Sequence, residues 1–305
     1  LTHDTRTFAK NKKPADVYQQ LEGLIRPNQS IVLLQHLHIL TQDGRINQDT
    51  RRKLKQVMHL AQFIERLIPA PKTAGSAADA SSMNSMLTLV DLGAGKSYLG
   101  FILYDLFLKH RDDAKVVAVE MRKELVAQSQ ALQKQLGFHR FEILQATVQE
   151  AINHTKVPKS IDIVTALHAC DTATDDAIRF ALAKSAQHIV LVPCCQAQIA
   201  RLLHKVKATR SKSSTLTELW RRPLHAREFG SHLTNVLRCL YLESCGYKVS
   251  VTELVGWEHS LKNELIIASR CTQSNLEAKN RLKTLLLDTG LMPVLGEQFG
   301  FALTI

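Results

Sequence analysis

The chain has 305 residues, 45% of them hydrophobic, and a formal net charge of +11. That apolar content can bury a full core and excludes a disordered chain, while no run of about 18 apolar residues offers a membrane span. So basic a balance favours a polyanionic partner, nucleic acid first and an anionic membrane surface second.

The opening Leu1-Thr2-His3-Asp4-Thr5-Arg6 lacks the apolar core of a secretion signal. Six cysteines (170, 194, 195, 239, 245 and 271) are dispersed without a disulfide-scaffold spacing, so a reducing, cytoplasmic setting is expected. Residues 1–70 read as a helical N-terminal region that faces substrate or RNA. Short apolar-periodic runs occur at 15–24 and 31–40, and a longer amphipathic helix starts at Thr50, a candidate N-cap. Arg51, Arg52, Lys53 and Lys55 crowd the start of that helix, where the dipole disfavours cations unless an anion is near. A solvated face is the plain reading of these charges, and a substrate contact the sharper one. Pro69, Pro71 and the small polar residues after them mark 71–86 as a linker.

Beyond the linker, strands and helices alternate. Strands are expected at 87–91, 115–120, 141–145, 161–167 and 188–193, with helices at 98–110, 122–136 and 174–184. This is the α/β pattern of a mostly parallel sheet with helices on both faces. Ligands in such sheets sit past the carboxyl ends of the strands. The candidates are then Gly93, Ala94, Gly95, Lys96 and Ser97; Glu120 and Met121; Gln145, Ala146 and Thr147; His168 and Asp171; and Pro193 to Gln196.

Spacing tests the glycine-rich turn after Asp91. A phosphate-binding P-loop needs glycine where Val90 stands, and a dinucleotide fingerprint needs one where Tyr98 stands. What remains is acid-x-Gly-x-Gly, followed by a second strand ending in Glu120. A carboxylate there can accept hydrogen bonds from both ribose hydroxyls. Burying such an acid unpaired is costly, so an adenosine-containing ligand is expected.

Further along, residues 196–230 hold the strongest basic cluster, with Arg201, Lys205, Arg221 and Arg222 among its members. A phosphate-backbone contact fits them. Trp220 could stack on a base or belong to the core. A helix at 231–245 leads to strands at 247–255 and 263–269. Glu258, His259, Lys262 and Asn263 lie between those strands, a polar set suited to gripping a base edge or phosphate. Residues 271–305 read as one helix and a tail.

Asp91-x-Gly93-x-Gly95 with Glu120 resembles motifs I and II of class I S-adenosylmethionine-dependent methyltransferases. His168-Ala169-Cys170-Asp171 and Val192-Pro193-Cys194-Cys195 resemble segments of the methyltransferase-domain family that includes methyltransferase-like protein 25. They are also similar to the tRNA 2′-O-methyltransferases with a CHHC zinc finger. Ser97 stands where many members have a third glycine, and Asp171 where the tRNA enzymes have glycine. The resemblance implies a Rossmann-like, seven-stranded methyltransferase domain over 87–270 that binds S-adenosylmethionine. It assigns the residues after the first four strands, His168 included, to the cofactor.

Methyl transfer to a neutral oxygen or amine needs alignment and the removal of one proton. His168 and Asp171 are the candidate acid–base groups, with loop or cofactor binding as the plainer role for His168. Asp175 reads as a helix cap. Cys194 and Cys195 are either nucleophiles or buried thiols. A metal site built from His168 and the cysteines has the wrong spacing, and no metal is expected. The resemblance, taken with the charge, implies methyl transfer onto RNA (tRNA or rRNA), with Lys96 and the basic segments as phosphate contacts. Two alternatives stay open: an enzyme for a small molecule or protein side chain, and a non-catalytic nucleic-acid-binding module that keeps the cofactor. The chain leaves the oligomeric state undefined.

Overall fold

The computed structural model describes residues 18–19, 21–71, 86–167, 169, 171–193, 196–209, 215–254, 264–271 and 273–302. Among the described residues there are seven strands: β1 (Leu87–Leu92), β2 (Ala114–Glu120), β3 (Phe141–Gln145), β4 (Ile163–Leu167), β5 (His188–Val192), β6 (Tyr247–Glu253) and β7 (Glu264–Arg270). They form one sheet in the order β3-β2-β1-β4-β5-β7-β6. This is the expected Rossmann-like arrangement: β1–β4, β2–β3 and β4–β5 pair in parallel, and β7 joins β5 and β6 in antiparallel fashion. Every residue of β1 is buried, as a parallel strand covered on both faces requires. Among the described residues, no helix is long and apolar enough to cross a membrane.

The chain divides into two compact units, Leu1–Leu87 with Ala94–Gln145 and Thr88–Gly93 with Ala146–Ile305. In the first, the N-terminal region contributes α1 (Ile31–His36) and α2 (Gln48–Glu65). Asn47, not Thr50, caps α2: its Oδ1 accepts the Thr50 amide at 2.8 Å, so the helix opens earlier than its apolar stripe suggests. After the glycine turn comes α3 (Tyr98–Leu103), which widens into a π-helical turn over Tyr104–Leu108 where a single α-helix was expected. Inside that turn, Asp105 is 1% exposed. It accepts the Ser30 amide at 2.8 Å and the Lys109 ammonium at 2.9 Å. Ser30 in turn caps α1. Tyr98 adds a hydroxyl donated to the Leu37 carbonyl. The N-terminal segment is thus fastened to the helix that starts at the glycine turn. Helix α4 (Lys123–Gln135) connects β2 to β3, whose register sets Glu120 beside Gln145 at their carboxyl ends.

The second unit holds α5 (Val148–Ile152), α6 (Ala173–Ala183), α7 (Gln198–Thr209), a 3-10 turn at Thr215–Trp220, and α8 (Pro223–Ser244). Helices α9 (Leu276–Asp288) and α10 (Met292–Leu295) follow β7. The sequence pattern placed the start of α8 near 231, but Pro223 at its first turn opens the helix eight residues sooner. Trp220 is 1% exposed and stacks on Phe229 in a core with Leu203, Leu237, Leu282 and Leu286. It is a core residue and offers no face to a base. At the crossing of α7 and α8, a Cβ on Gly230 would meet the Ala200 amide nitrogen at 2.7 Å, so only glycine permits the approach.

Asp105→Ala leaves the Ser30 amide and the Lys109 ammonium without their buried acceptor. A loss of about 3 kcal/mol is expected in denaturant unfolding at unchanged m-value. A loss below about 1 kcal/mol would show that Asp105 does not fasten the N-terminal segment.

Candidate cofactor and substrate site

In the first unit, the glycine turn closes through the Ala94 amide on the Val119 carbonyl (3.0 Å) and the Ser97 amide on the Ala94 carbonyl (2.7 Å). The loop is therefore locked to the end of β2. Gly95 and Ser97 both have positive φ, +59° and +55°. Ser97 thus adopts the left-handed conformation usually reserved for glycine, at a cost of about 1 kcal/mol or more. Its Oγ is buried and has no hydrogen-bond partner among the described residues.

Glu120, 4% exposed at the end of β2, faces this turn. Its Oε2 accepts the Gly95 amide at 2.8 Å, and its Oε1 accepts the Arg122 amide and Nε, each at 2.9 Å. Burial works to raise the pKa of this carboxyl. The bonds from the Arg122 side chain and the two amides outweigh burial and hold it below the usual range. Arg122 was not among the expected site residues; the only hint in the sequence is a cation two places after the strand-ending acid. Met121 is 65% exposed, an apolar side chain left in solvent beside the carboxylate. Lys96 is exposed and lines a cavity of about 310 Å³ with His36, His38, Gln128 and Gln135. Gln145 is exposed at the end of β3.

In the second unit, Gly93 has open space where a Cβ would stand, with nothing within 4 Å. Asp91 is 2% exposed, and its Oδ1 accepts the Thr165 hydroxyl at 2.7 Å. Ala146 is buried, and Thr147 caps α5 in a capping box with Glu150, which occupies its hydroxyl. Asp171 has φ +51°. Its Oδ1 accepts the amides of Ala197 and Gln198, both at 3.0 Å, and its Oδ2 accepts Arg201 Nη2 at 2.9 Å. Asp171 thus anchors the start of α7 and neutralises Arg201. Burial raises the Asp171 pKa, but the two amides and Arg201 bring it below the ordinary value. Arg221 pairs with Glu218 at 3.0 Å, whereas Lys205 and Arg222 are exposed.

Asp175 does not cap α6. It lies within that helix, 5% exposed, and takes a bidentate pair from Arg238, Nε on Oδ1 at 2.9 Å and Nη2 on Oδ2 at 2.7 Å. Arg238 is 1% exposed and also donates to the Asp171 carbonyl at 2.7 Å. A second branch runs through Asn235, whose Oδ1 accepts Arg238 Nη1 and Gln196 Nε2 and whose amide donates to Glu264. Ser231 completes it with a bond to Gln196. Sequence reasoning missed this network. Its visible trace is Asn235 and Arg238, three residues apart in an otherwise apolar helical pattern. The other candidates, His168, Cys194, Cys195, Glu258, His259, Lys262 and Asn263, lie outside the described residues. Among the described residues, no cluster of three or more His, Cys, Asp or Glu is placed to hold a metal ion.

Residues 52–202 match a family described as a methyltransferase domain. No curated protein matches the sequence. Among solved structures, an rRNA methylase from Streptococcus thermophilus is similar at 11% identity, covering 63% of this chain and 92% of its own, with a TM-score of 0.38. Precorrin-6y C5,15-methyltransferase from Geobacter metallireducens matches at 16% identity, with 62% and 82% covered and a TM-score of 0.37. TrmK of M. capricolum, solved with S-adenosylhomocysteine, matches at 11% identity, with 72% and 84% covered and a TM-score of 0.39.

Two measurements check the electrostatics. Asp175→Leu or Arg238→Met alone leaves a buried polar group without its charge partner, and each is expected to cost about 3–5 kcal/mol by denaturation. Joining Arg238→Met to Asp175→Leu should recover most of that loss, and additive losses would contradict the pairing. For Asp171, a depressed folded pKa means stabilisation that is full above the ordinary carboxylate value and lost as pH falls through the folded one. Asp171→Asn should therefore flatten the decline in Tm below about pH 4; an unchanged acid limb would disprove the assignment.

Proposed function

We propose that the protein transfers a methyl group from S-adenosylmethionine to RNA, a reading that starts from the match of residues 52–202 to a methyltransferase domain. One observation carries the cofactor assignment: a buried carboxylate, Glu120, oriented by main-chain amides at the end of a strand and set against a glycine turn. In this reading Glu120 accepts the ribose hydroxyls. Met121 is the apolar side chain beside that carboxylate for the base, and the resemblance of Asp91-x-Gly93 to the methyltransferase motif assigns those two residues to the cofactor as well. A buried carboxylate held by main-chain amides has the chemistry to accept a ribose diol. The cofactor supplies a methyl group activated on a sulfonium.

The chain's own tasks are to align the acceptor and take its proton. His168 is the proposed base for that proton. The hydrogen bonds of Asp171 suit a positioning role, since both its oxygens are occupied by the start of α7 and Arg201. An oxygen or nitrogen acceptor is itself the nucleophile, so Cys194 and Cys195 are called on as nucleophiles only if the acceptor is a ring carbon. Support for RNA comes from the net charge of +11 and from exposed cations at Arg51, Arg52, Lys53, Lys55, Lys96, Lys205 and Arg222.

A second reading, a small-molecule or protein-side-chain methyltransferase, draws on a specific observation. Arg201, Arg221 and Arg227 of the basic segment each pair with a carboxylate, which lowers the free positive charge there.

Labelled methyl transfer to fractionated cell extract separates the two. Label is expected in the RNA fraction, reduced at least about tenfold by Glu120→Gln, with RNA affinity falling steeply as salt rises. Label in metabolites or protein would favour the second reading, and none in any fraction would overturn methyl transfer.

A further inference from the structure

A carboxylate offers about four acceptor directions, two on each oxygen. The fold fills two at Glu120 with main-chain donors: the Gly95 amide on Oε2 at 2.8 Å and the Arg122 amide on Oε1 at 2.9 Å. One direction then remains on each oxygen. The Arg122 side chain takes both, Nε on Oε1 at 2.9 Å and Nη2 on Oε2 at 3.3 Å. A vicinal diol donates in the same pattern, one hydroxyl to each oxygen. The guanidinium fork and the ribose therefore compete for the same two positions.

We propose that Arg122 is an internal stand-in for the ribose diol, holding the outward acceptor sites of Glu120 until the nucleoside displaces it and thereby setting cofactor affinity. The inference rests on the reading of Glu120 as the ribose acceptor. The placement of the guanidinium supports it: a Cβ built on Gly95 would meet Arg122 Nη2 at 3.8 Å, so the fork lies against the glycine turn. Displacement is also feasible. The Arg122 side chain is 61% exposed and Glu120 only 4%, so the partner that leaves is the one water can solvate. Arg122 precedes α4 and makes no side-chain capping bond there, and a cation gains nothing from a helix N-terminus. Glu124 already contributes to the electrostatic hold on Arg122 and gives the freed side chain a second partner.

The stand-in has a functional use. A carboxylate emptied by the departing nucleoside is refilled at once by its own chain, which favours release of the demethylated product.

Calorimetric titration of the full chain with S-adenosylhomocysteine and with its 2′-deoxy analogue tests the proposal. Arg122→Met removes the competitor and should tighten S-adenosylhomocysteine about two- to fivefold, the scale of one exposed ion pair. The gain should shrink for the 2′-deoxy analogue, which has one hydroxyl fewer for Glu120. Arg122→Lys keeps the charge but has no fork, and it should tighten binding as well; a purely electrostatic role predicts wild-type affinity instead. Unchanged or weaker binding in both Arg122 variants, with thermal unfolding showing both folded, would overturn the proposal. Glu120→Gln keeps the two failures apart. If it binds S-adenosylhomocysteine as the wild type does, the ribose reading itself is wrong, whatever the Arg122 variants do.

Discussion

A carboxylate buried at the end of a strand costs several kcal/mol unless its oxygens are satisfied. The local architecture around Glu120 follows from that constraint. β2 must run its full length to deliver the acid, and the glycine turn must present the Gly95 amide to it. The same turn is closed from below by the Val119 carbonyl, one residue before the acid. Two positive-φ residues then aim the chain into α3. The N-terminal helices reach this assembly through Asp105 and Tyr98, residues of the helix that the turn begins. Loop shape, strand end and N-terminal segment are thus parts of one unit organised by one charge.

The second unit solves a similar problem differently. Its buried charges are held side chain to side chain: the Asp175–Arg238 pair is joined to Asn235, Gln196 and Glu264. Such a network fixes one arrangement, because every member depends on the others for its partner. It sets Asp171, after β4, and Gln196, after β5, against the middle of α8. Asp171 adds a second fastening by gripping the first amides of α7. An enzyme that aligns an acceptor to within a fraction of an ångström needs this kind of rigidity in the segments after its strands.

Much of this was legible in the chain. β1 and β2 announce themselves as runs rich in apolar and β-branched residues that lead to an acid, and the acid-x-Gly-x-Gly spacing separated this turn from two better-known phosphate loops. The terminal antiparallel pair, β6 and β7, was also readable from its alternation and apolar content. Other features were hidden for identifiable reasons. Arg238 and Asp175 are 63 residues apart, and no local pattern links a cation in one helix to an anion in another. The π-helical turn leaves the apolar periodicity of 98–108 intact, so only the buried Asp105 betrays it. Thr147 and Glu150 form a capping box whose signature was present, yet the position after a strand made a ligand role look more natural. Arg122 escaped because an arginine after an acid reads as surface decoration until the acid is seen to be buried.

The most direct measurement is a crystal structure of the protein with S-adenosylhomocysteine. It should show both ribose hydroxyls on the Glu120 oxygens, the Gly95 and Arg122 amides still in place, and the Arg122 guanidinium swung away. A ribose bound elsewhere, with the Arg122–Glu120 pair intact, would contradict the account at its root.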